Sequence, residues 1–241
     1  MILDRPMLWH IVNRVKQAPG IDGVVVATST LPKDIPIMDF CQREGIEYFE
    51  GSESDVLDRY YQAAVSLEAD PIIRITGDCP LVDPQIVGNL LKFYKSGQYD
   101  HVGVATGAGA VFMEGGRYPN GLDAECFGFK ALEKAWNEAR EPTDREHVTP
   151  YIWRHPSLFK LGTLKSKIDY SHLRFSVDYE ADFELISQIY GNLYNNCWPF
   201  LLEDVINFIS SHPEMSGINQ RYIGKEGYQA LWKKDNGPVD K

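Results

Sequence analysis

The sequence predicts an α/β protein with a mostly parallel sheet and helices on both of its faces. Three observations carry this. Apolar runs rich in β-branched residues recur along the chain, as strands buried on both faces require. Between them lie segments with apolar residues at helical spacing. The connections are short and hold glycine, proline, aspartate or asparagine.

Pro6 suits the first turn of a helix, and Leu8, Ile11, Val12 and Val15 then recur at helical spacing until Pro19-Gly20 stops it. Gly23 to Thr28 is a buried-strand run, Ser29 to Lys33 a loop, and Asp34 to Glu44 a helix ended by Gly45. Ile46 to Phe49 is a short strand, Asp55 to Leu67 a helix, and Pro71 to Thr76 a second buried strand. Asp83-Pro84 caps a helix that reaches Gly97. Asp100 to Ala105 reads as strand, Gly107 to Gly116 as loop or hairpin, Asp123 to Phe129 as strand and Lys130 to Arg140 as helix. Glu146 to His155 is helical, with a break or kink at Pro150. Leu158 to Thr163 and Leu173 to Val177 are predicted strands, and Ala181 to Tyr190 and Leu202 to Ser211 predicted helices. The tail after Gly217 is polar. No repeat or linker interrupts the chain, so residues 1–241 read as one domain.

The 241 residues are 44% hydrophobic and 24% charged, which fits a folded globular chain. A net charge of −10 disfavours a nucleic-acid partner. It leaves room for a nucleotide, which a local cluster of cations and a metal can hold. The four cysteines (Cys41, Cys79, Cys126 and Cys197) form no CxxC pair, and the six histidines are scattered, which argues against a zinc site or a disulfide framework. Reduced thiols in a cytoplasmic protein are expected. No stretch approaches the ~18 apolar residues of a membrane span, and the N-terminus lacks the layout of a signal peptide.

Five segments could carry chemistry. In Arg74-Ile75-Thr76-Gly77-Asp78-Cys79-Pro80-Leu81, Gly77 permits a tight turn and Asp78 sits beyond the end of an apolar strand, the edge where open α/β sheets bind ligands. Mg²⁺ takes one or two protein carboxylates and fills its other positions with phosphate oxygens and water. Asp78 suits that task; capping of a turn is the alternative. Asp178, in Arg174-Phe175-Ser176-Val177-Asp178, repeats the placement, either as a second metal carboxylate or as the N-cap of the following helix.

The remaining three are less direct. After the Asn120-Gly121 turn, Asp123 and Glu125 alternate, which on a strand puts both carboxylates on one face, for sugar hydroxyls or for solvent. In Thr143-Asp144-Arg145-Glu146-His147-Val148-Thr149-Pro150, Thr143 with Glu146 fits a capping box. Arg145 and His147 are left over, and a guanidinium suits a carboxylate or phosphate. In Glu50 to Tyr60, Ser52 or Ser54 can cap a helix, and Asp55 with Arg59 is spaced as a helix-surface pair. Cys79 has no base beside it in sequence and is not read as a nucleophile.

Taken together, Asp55-Val56-Leu57-Asp58-Arg59-Tyr60, Arg74 to Leu81, Gly121-Leu122-Asp123-Ala124-Glu125 and Asp144 to Pro150 resemble the spore coat polysaccharide biosynthesis cytidylyltransferase family, related to the CMP-KDO and acylneuraminate cytidylyltransferases. The resemblance runs in order from Asp4 to Asn219. It implies a Rossmann-like three-layer α/β/α sandwich of the nucleotide-diphospho-sugar transferase type. It also implies CTP and a sugar or sugar acid as substrates, a CMP-sugar and pyrophosphate as products, Mg²⁺ as cofactor, and a homodimer with the Gly107 to Asp123 region as a candidate arm. By that resemblance Asp78 and Asp178 are the metal-binding catalytic pair. Ala27, Thr28, Ser52, Arg59 and Gly77 lie at the nucleotide, and Asn120, Asp123, Glu125, Arg145 and His147 toward the sugar. Family members place a strand and a glycine-rich loop with Arg and Lys ahead of a segment like Leu3 to Leu8. The resemblance therefore implies a sheet without its first strand, weak CTP binding and little turnover. A glycosyltransferase of the same fold and a non-catalytic sugar-nucleotide-binding remnant are the competing functions.

Overall fold

The computed structural model describes residues 1–106, 115–195 and 198–225. The predicted Gly107–Gly116 loop, Cys197 and the end of the tail lie wholly or largely outside them. Among the described residues the helices are α1 (Met7–Val15), α2 (Ile35–Glu44), α3 (Val56–Ser66), α4 (Pro84–Gly97), α5 (Phe129–Glu138), α6 (Pro142–His147), α7 (Pro150–Arg154), α8 (Glu180–Leu193), α9 (Leu202–Ser211) and α10 (Glu214–Gly217). The strands are β1 (Val25–Ser29), β2 (Glu47–Gly51), β3 (Ile72–Arg74), β4 (His101–Val104), β5 (Glu125–Phe127) and β6 (Leu161–Leu164).

The strands form two sheets rather than one. β1 pairs parallel with β2, and a second sheet has the order β3-β5-β4-β6. In that sheet β4 and β6 are parallel, but β5 runs antiparallel to both neighbours, so the expected mostly parallel sheet is a mixed one. The reason is local. β5 follows an irregular return through Tyr118–Asp123 instead of a crossover helix, and parallel neighbours need the crossover.

Alternating side chains of the four-stranded sheet face two helical layers, giving an α/β sandwich. Ile73 and Cys126 join the larger core with α1, α4, α8 and α9, while Ile72 and Phe127 join a second core with α3, α5 and α7. A third small cluster puts Phe40 and Cys41 of α2 against Val24 and Val26. Arg14 ties the N-terminal helix to the far end of the chain. It is 1% exposed, and its guanidinium donates to the carbonyls of Val82 (2.7 Å) and Phe200 (2.9 Å) and lies over the Phe200 ring.

Three expectations change. Leu173 to Val177 forms no strand, only a single parallel bridge between Asn120 and Arg174. Pro150 does not kink a long helix: α6 ends at His147 and Pro150 opens α7 at its first turn, where its missing N–H costs nothing. Thr143 lies inside α6, whose N-cap is Glu141, so no Thr143–Glu146 capping box forms.

Candidate active site

Asp78 follows β3 in the loop Thr76–Pro80, half-buried, with Gly77 exposed beside it. The backbone carbonyl of Asp78 accepts a 2.9 Å hydrogen bond from the Val177 N–H. That bond fixes the loop after β3 against the segment carrying Asp178, so two aspartates a hundred positions apart in the chain sit on neighbouring backbones. The Asp78 carboxylate is close to unengaged. Its side-chain partner is the Cys79 thiol at 3.6 Å, a contact at the weak end of hydrogen bonding.

Asp178 is solvent-accessible, with one oxygen, Oδ2, paired to Arg174. It is not the N-cap of α8, which is Tyr179. Asp182, fully buried in the first turn of α8, secures that end of the helix by accepting from the N–H groups of Asp178 (3.1 Å) and Tyr179 (3.0 Å). Asp182 also accepts from Arg174 Nε (3.0 Å), Arg174 (3.1 Å) and Asn219 Nδ2 (2.8 Å). Burial alone would raise its pKa; the bonds from Arg174 and Asn219 outweigh burial and hold it below the usual carboxylate value.

The Asn120-Gly121 turn is built against the same segment. Asn120 donates its N–H to the Leu173 carbonyl (3.1 Å), takes the Phe175 N–H (2.7 Å) and accepts the Ser176 hydroxyl (2.6 Å), so Asn120 is a buried structural joint rather than an open sugar contact. Gly121 has φ +90°, and a Cβ there would lie 2.2 Å from Ser176 N. Only glycine meets both conditions. Asp123 follows in the loop before β5, not on the strand. It accepts from Gly121 N–H (2.8 Å) and from the Thr106 hydroxyl. Burial pushes its pKa up to about 6, against those two hydrogen bonds and with the help of the negative Asp78 and Glu125.

Glu125 and Asp123 therefore do not share a role. Glu125 is 3% exposed and accepts from Thr149 (2.6 Å), Arg74 (2.9 Å) and His101 (3.1 Å). Burial would raise its pKa, but the His101 bond and the Arg74 charge win and bring it to about 2. Glu125 thus positions Arg74 and Thr149 and lies buried against them rather than open to a substrate. Sequence reading missed Arg74, His101, Thr149 and Asp182 as site-forming residues. The available signal was a cation within an apolar strand, which demands a buried acid.

Arg145 does not face a substrate site either. Its guanidinium grips Asp55 Oδ2 through Nε (3.0 Å) and a terminal nitrogen (2.5 Å) and donates to the Trp136 carbonyl (2.8 Å). It is a tie between α6 and α3, not a free anion receptor. Asp55 in turn is the N-cap of α3, accepting the Asp58 N–H at 2.9 Å, so neither the Asp55–Arg59 surface pair nor a serine cap forms. Ser52 supports this corner: its hydroxyl accepts the Asp55 N–H (3.0 Å) and its carbonyl accepts Arg59 (2.9 Å). Gly51 leaves room for the Arg59 stem, since a Cβ there would meet it at 2.8 Å.

His147 differs from its neighbours in α6. Its Nε2 is buried with no hydrogen-bond partner, and burial lowers its pKa, leaving a neutral ring near Arg74 and Glu125. Directly after it, Val148 has φ +75°, and Thr149 N–H closes back on the His147 carbonyl at 2.9 Å. A β-branched residue there stores strain of roughly 1–3 kcal/mol. Ala27 and Thr28 occupy the carboxyl half of β1, with Ala27 lining a groove that also reaches Thr76 and Gly77.

Among the described residues no group of three or more His, Cys, Asp or Glu could hold a metal. Mg²⁺ needs fewer, and the open carboxylate of Asp78 with the second oxygen of Asp178 fits its donor preference.

The mixed α/β sandwich is that of the α/β nucleotidyltransferases. The chain belongs to the cytidylyltransferase family, whose model matches residues 1–203. Protein MJ1063 of Methanocaldococcus jannaschii is 33% identical over 232 residues, 95% of this chain and 89% of that protein. The spore coat polysaccharide biosynthesis protein SpsF of Bacillus subtilis is 28% identical over 191 residues, 76% of this chain and 75% of SpsF. Among solved structures, a cytidylyltransferase from Leptospira borgpetersenii superposes with a TM-score of 0.80 at 27% identity, covering 89% of this chain and 87% of that one. A CMP:2-keto-3-deoxy-manno-octonic acid synthetase complexed with CTP superposes with a TM-score of 0.59 at 17% identity over 79% of this chain and 90% of its own, a likeness of fold. Among the described residues no helix is long and apolar enough to cross a membrane.

Proposed function

We propose that the protein transfers CMP from CTP to an oxygen of a sugar or sugar acid and releases pyrophosphate, with Asp78 and Asp178 holding Mg²⁺. The observation that carries this reading is the Val177 N–H to Asp78 carbonyl bond, which sets the two aspartate-bearing segments side by side. Family membership and the CTP bound to a protein of the same fold support the choice of nucleotide.

In this reading Asp78 and Asp178 orient the triphosphate from one side. The ion, when bound, neutralises charge on the α-phosphate and on the departing pyrophosphate. Asp123 faces Asp78 from the next loop, and its raised pKa lets it hold or release a proton close to neutral pH. In this reading His147, a neutral ring beside Arg74 and Glu125, lies on the sugar side of the site. Arg74, Glu125 and Thr149 fix the floor beneath them. Alignment and electrostatics supply most of the rate.

The test is pyrophosphate release from CTP with Mg²⁺ across a panel of sugars and sugar acids. Release that requires one acceptor, with a matching CMP-sugar, supports the reading. Release of nucleoside diphosphate from a sugar nucleotide, with none from CTP, would replace it with glycosyl transfer.

A further inference from the structure

After α10 the chain returns to the segment that carries Asp178. Met215 and Ile218 pack on the larger core, and a 3₁₀ turn (Gln220–Tyr222) follows. Asn219, 2% exposed, donates its Nδ2 to the Arg174 carbonyl (2.9 Å) and to Asp182 Oδ1 (2.8 Å). Arg174 and Asp182 are the ion pair that flanks Asp178 in sequence, four residues to either side, so one side chain ties both halves of it. Tyr222 stacks on Tyr179, the residue directly after Asp178, with ring centroids 3.9 Å apart and planes 9° from parallel. The Arg174 guanidinium lies 5.6 Å from the Tyr179 ring, and Arg221 and Lys225 lie 4.8 and 5.7 Å from the Tyr222 ring, so cations attend both rings of the stack. Tyr179 is 38% exposed, so core burial does not fix it; the Tyr222 ring does. Asn219 and Tyr222 lie beyond residues 1–203, which the family model matches.

We propose that Asn219 and Tyr222 are positioning residues for Asp178: together they clamp Arg174–Asp182 so that the free carboxylate oxygen of Asp178 stays beside Asp78. Asp178 is accessible to solvent and does not hold itself in place by burial. Its position is set by its neighbours. Its N–H is bonded to Asp182, which Asn219 fixes, and its carboxylate is paired to Arg174, whose carbonyl Asn219 also holds. On the far side of Asp178, Tyr222 pins the next residue by its ring. On the near side, the Val177 N–H is bonded to the Asp78 carbonyl. The clamp therefore closes the frame that keeps the two aspartates together. Its consequence for Mg²⁺ rests on the proposed function, because groups that orient a metal ligand are worth about 10–100-fold in metal affinity.

The test compares the unaltered full chain with Tyr222→Ala, Tyr222→Phe and Asn219→Ala. Residue-resolved hydrogen exchange is read first, without metal or nucleotide. In Tyr222→Ala the Val177 and Asp178 amides exchange about tenfold faster or more, while the amides of α4 keep their rates. Tyr222→Phe keeps the ring pair and restores the slow exchange. Asn219→Ala acts in the same direction as Tyr222→Ala; should that buried change unfold the chain, the two Tyr222 variants still decide. Calorimetric titration of CTP at a series of Mg²⁺ concentrations is read second. Half-saturation by Mg²⁺ rises about tenfold in Tyr222→Ala, with CTP binding regained at high Mg²⁺ and with Tyr222→Phe unchanged. The clamp is overturned if Val177 and Asp178 exchange in Tyr222→Ala as in the unaltered chain, if all amides speed up alike, or if Tyr222→Phe behaves as Tyr222→Ala does. Faster exchange with an unmoved Mg²⁺ requirement would overturn its link to the ion and leave a purely structural tie. If the unaltered chain binds no CTP with Mg²⁺, the proposed function fails, and the exchange data still decide the clamp.

Discussion

Two acidic regions lie within one loop of each other and are built in opposite ways. Around Arg174 and Arg74, each buried carboxylate is well compensated: Asp182 accepts five hydrogen bonds and Glu125 three. At the mouth, Asp78 has one weak thiol contact, and Asp123 is driven up to about 6 by burial and by its neighbours' charge. Well-compensated acids hold the fold; under-compensated acids beside one another leave electrostatic room for a cation. The difference sorts the acids by role better than their position in the sequence does.

The sorting can be broken most forcefully from the well-compensated side. Asp182→Ala strands the buried Arg174 and should cost about 3–5 kcal/mol in denaturant unfolding. A loss under ~1 kcal/mol would mean that the cluster is not structural. Asp78→Asn should do the reverse. Pyrophosphate release should fall roughly a hundredfold or more while the thermal midpoint barely moves. Arg145→Lys loses the double grip on Asp55 and the bond to Trp136, and we expect about 1 kcal/mol of destabilisation with turnover largely kept, since that guanidinium is a tie rather than a receptor.

The smallest effect is in pH dependence. Asp123 has a folded pKa above its ordinary 3.8, so the folded state binds its proton more tightly than the unfolded state does. Its contribution to stability is greatest below pH 4 and is lost as pH rises through about 6. Glu125, held at about 2 against an ordinary 4.5, works the other way: its contribution is complete above pH 4.5 and is lost as pH falls toward 2. Asp123→Asn should remove the downward component between pH 4 and 6 in thermal unfolding scans and leave the acid limb intact. An unchanged profile would mean that Asp123 is not buried against Asp78.

Much of the fold was legible because local signals agreed with it. The Asp83-Pro84 cap begins α4 as read, with Asp83 accepting from Gln85 and Ile86, and Gly45 ends α2 in the left-handed conformation expected of a helix-stopping glycine. Leu173 to Val177 was misread because its apolar residues fill the core without a ladder: its partners are a turn, at Asn120, and a loop, at Asp78. The orientation of β5 was invisible for a similar reason, since no periodicity records which way a strand runs. Within the site, Asp78 and Asp178 stood out by their place after apolar runs. Glu125 and Arg145 were expected at the substrate because sequence shows a charge but not the partner that neutralises it, and those partners, Arg74 and Asp55, lie 51 and 90 residues away.

The most direct test of the central claim is calorimetric titration of CTP into the protein with and without Mg²⁺, for the unaltered chain, Asp78→Asn and Asp55→Asn. Binding should require Mg²⁺, disappear in Asp78→Asn and survive in Asp55→Asn. CTP–Mg²⁺ binding by Asp78→Asn as tight as that of the unaltered chain would contradict it.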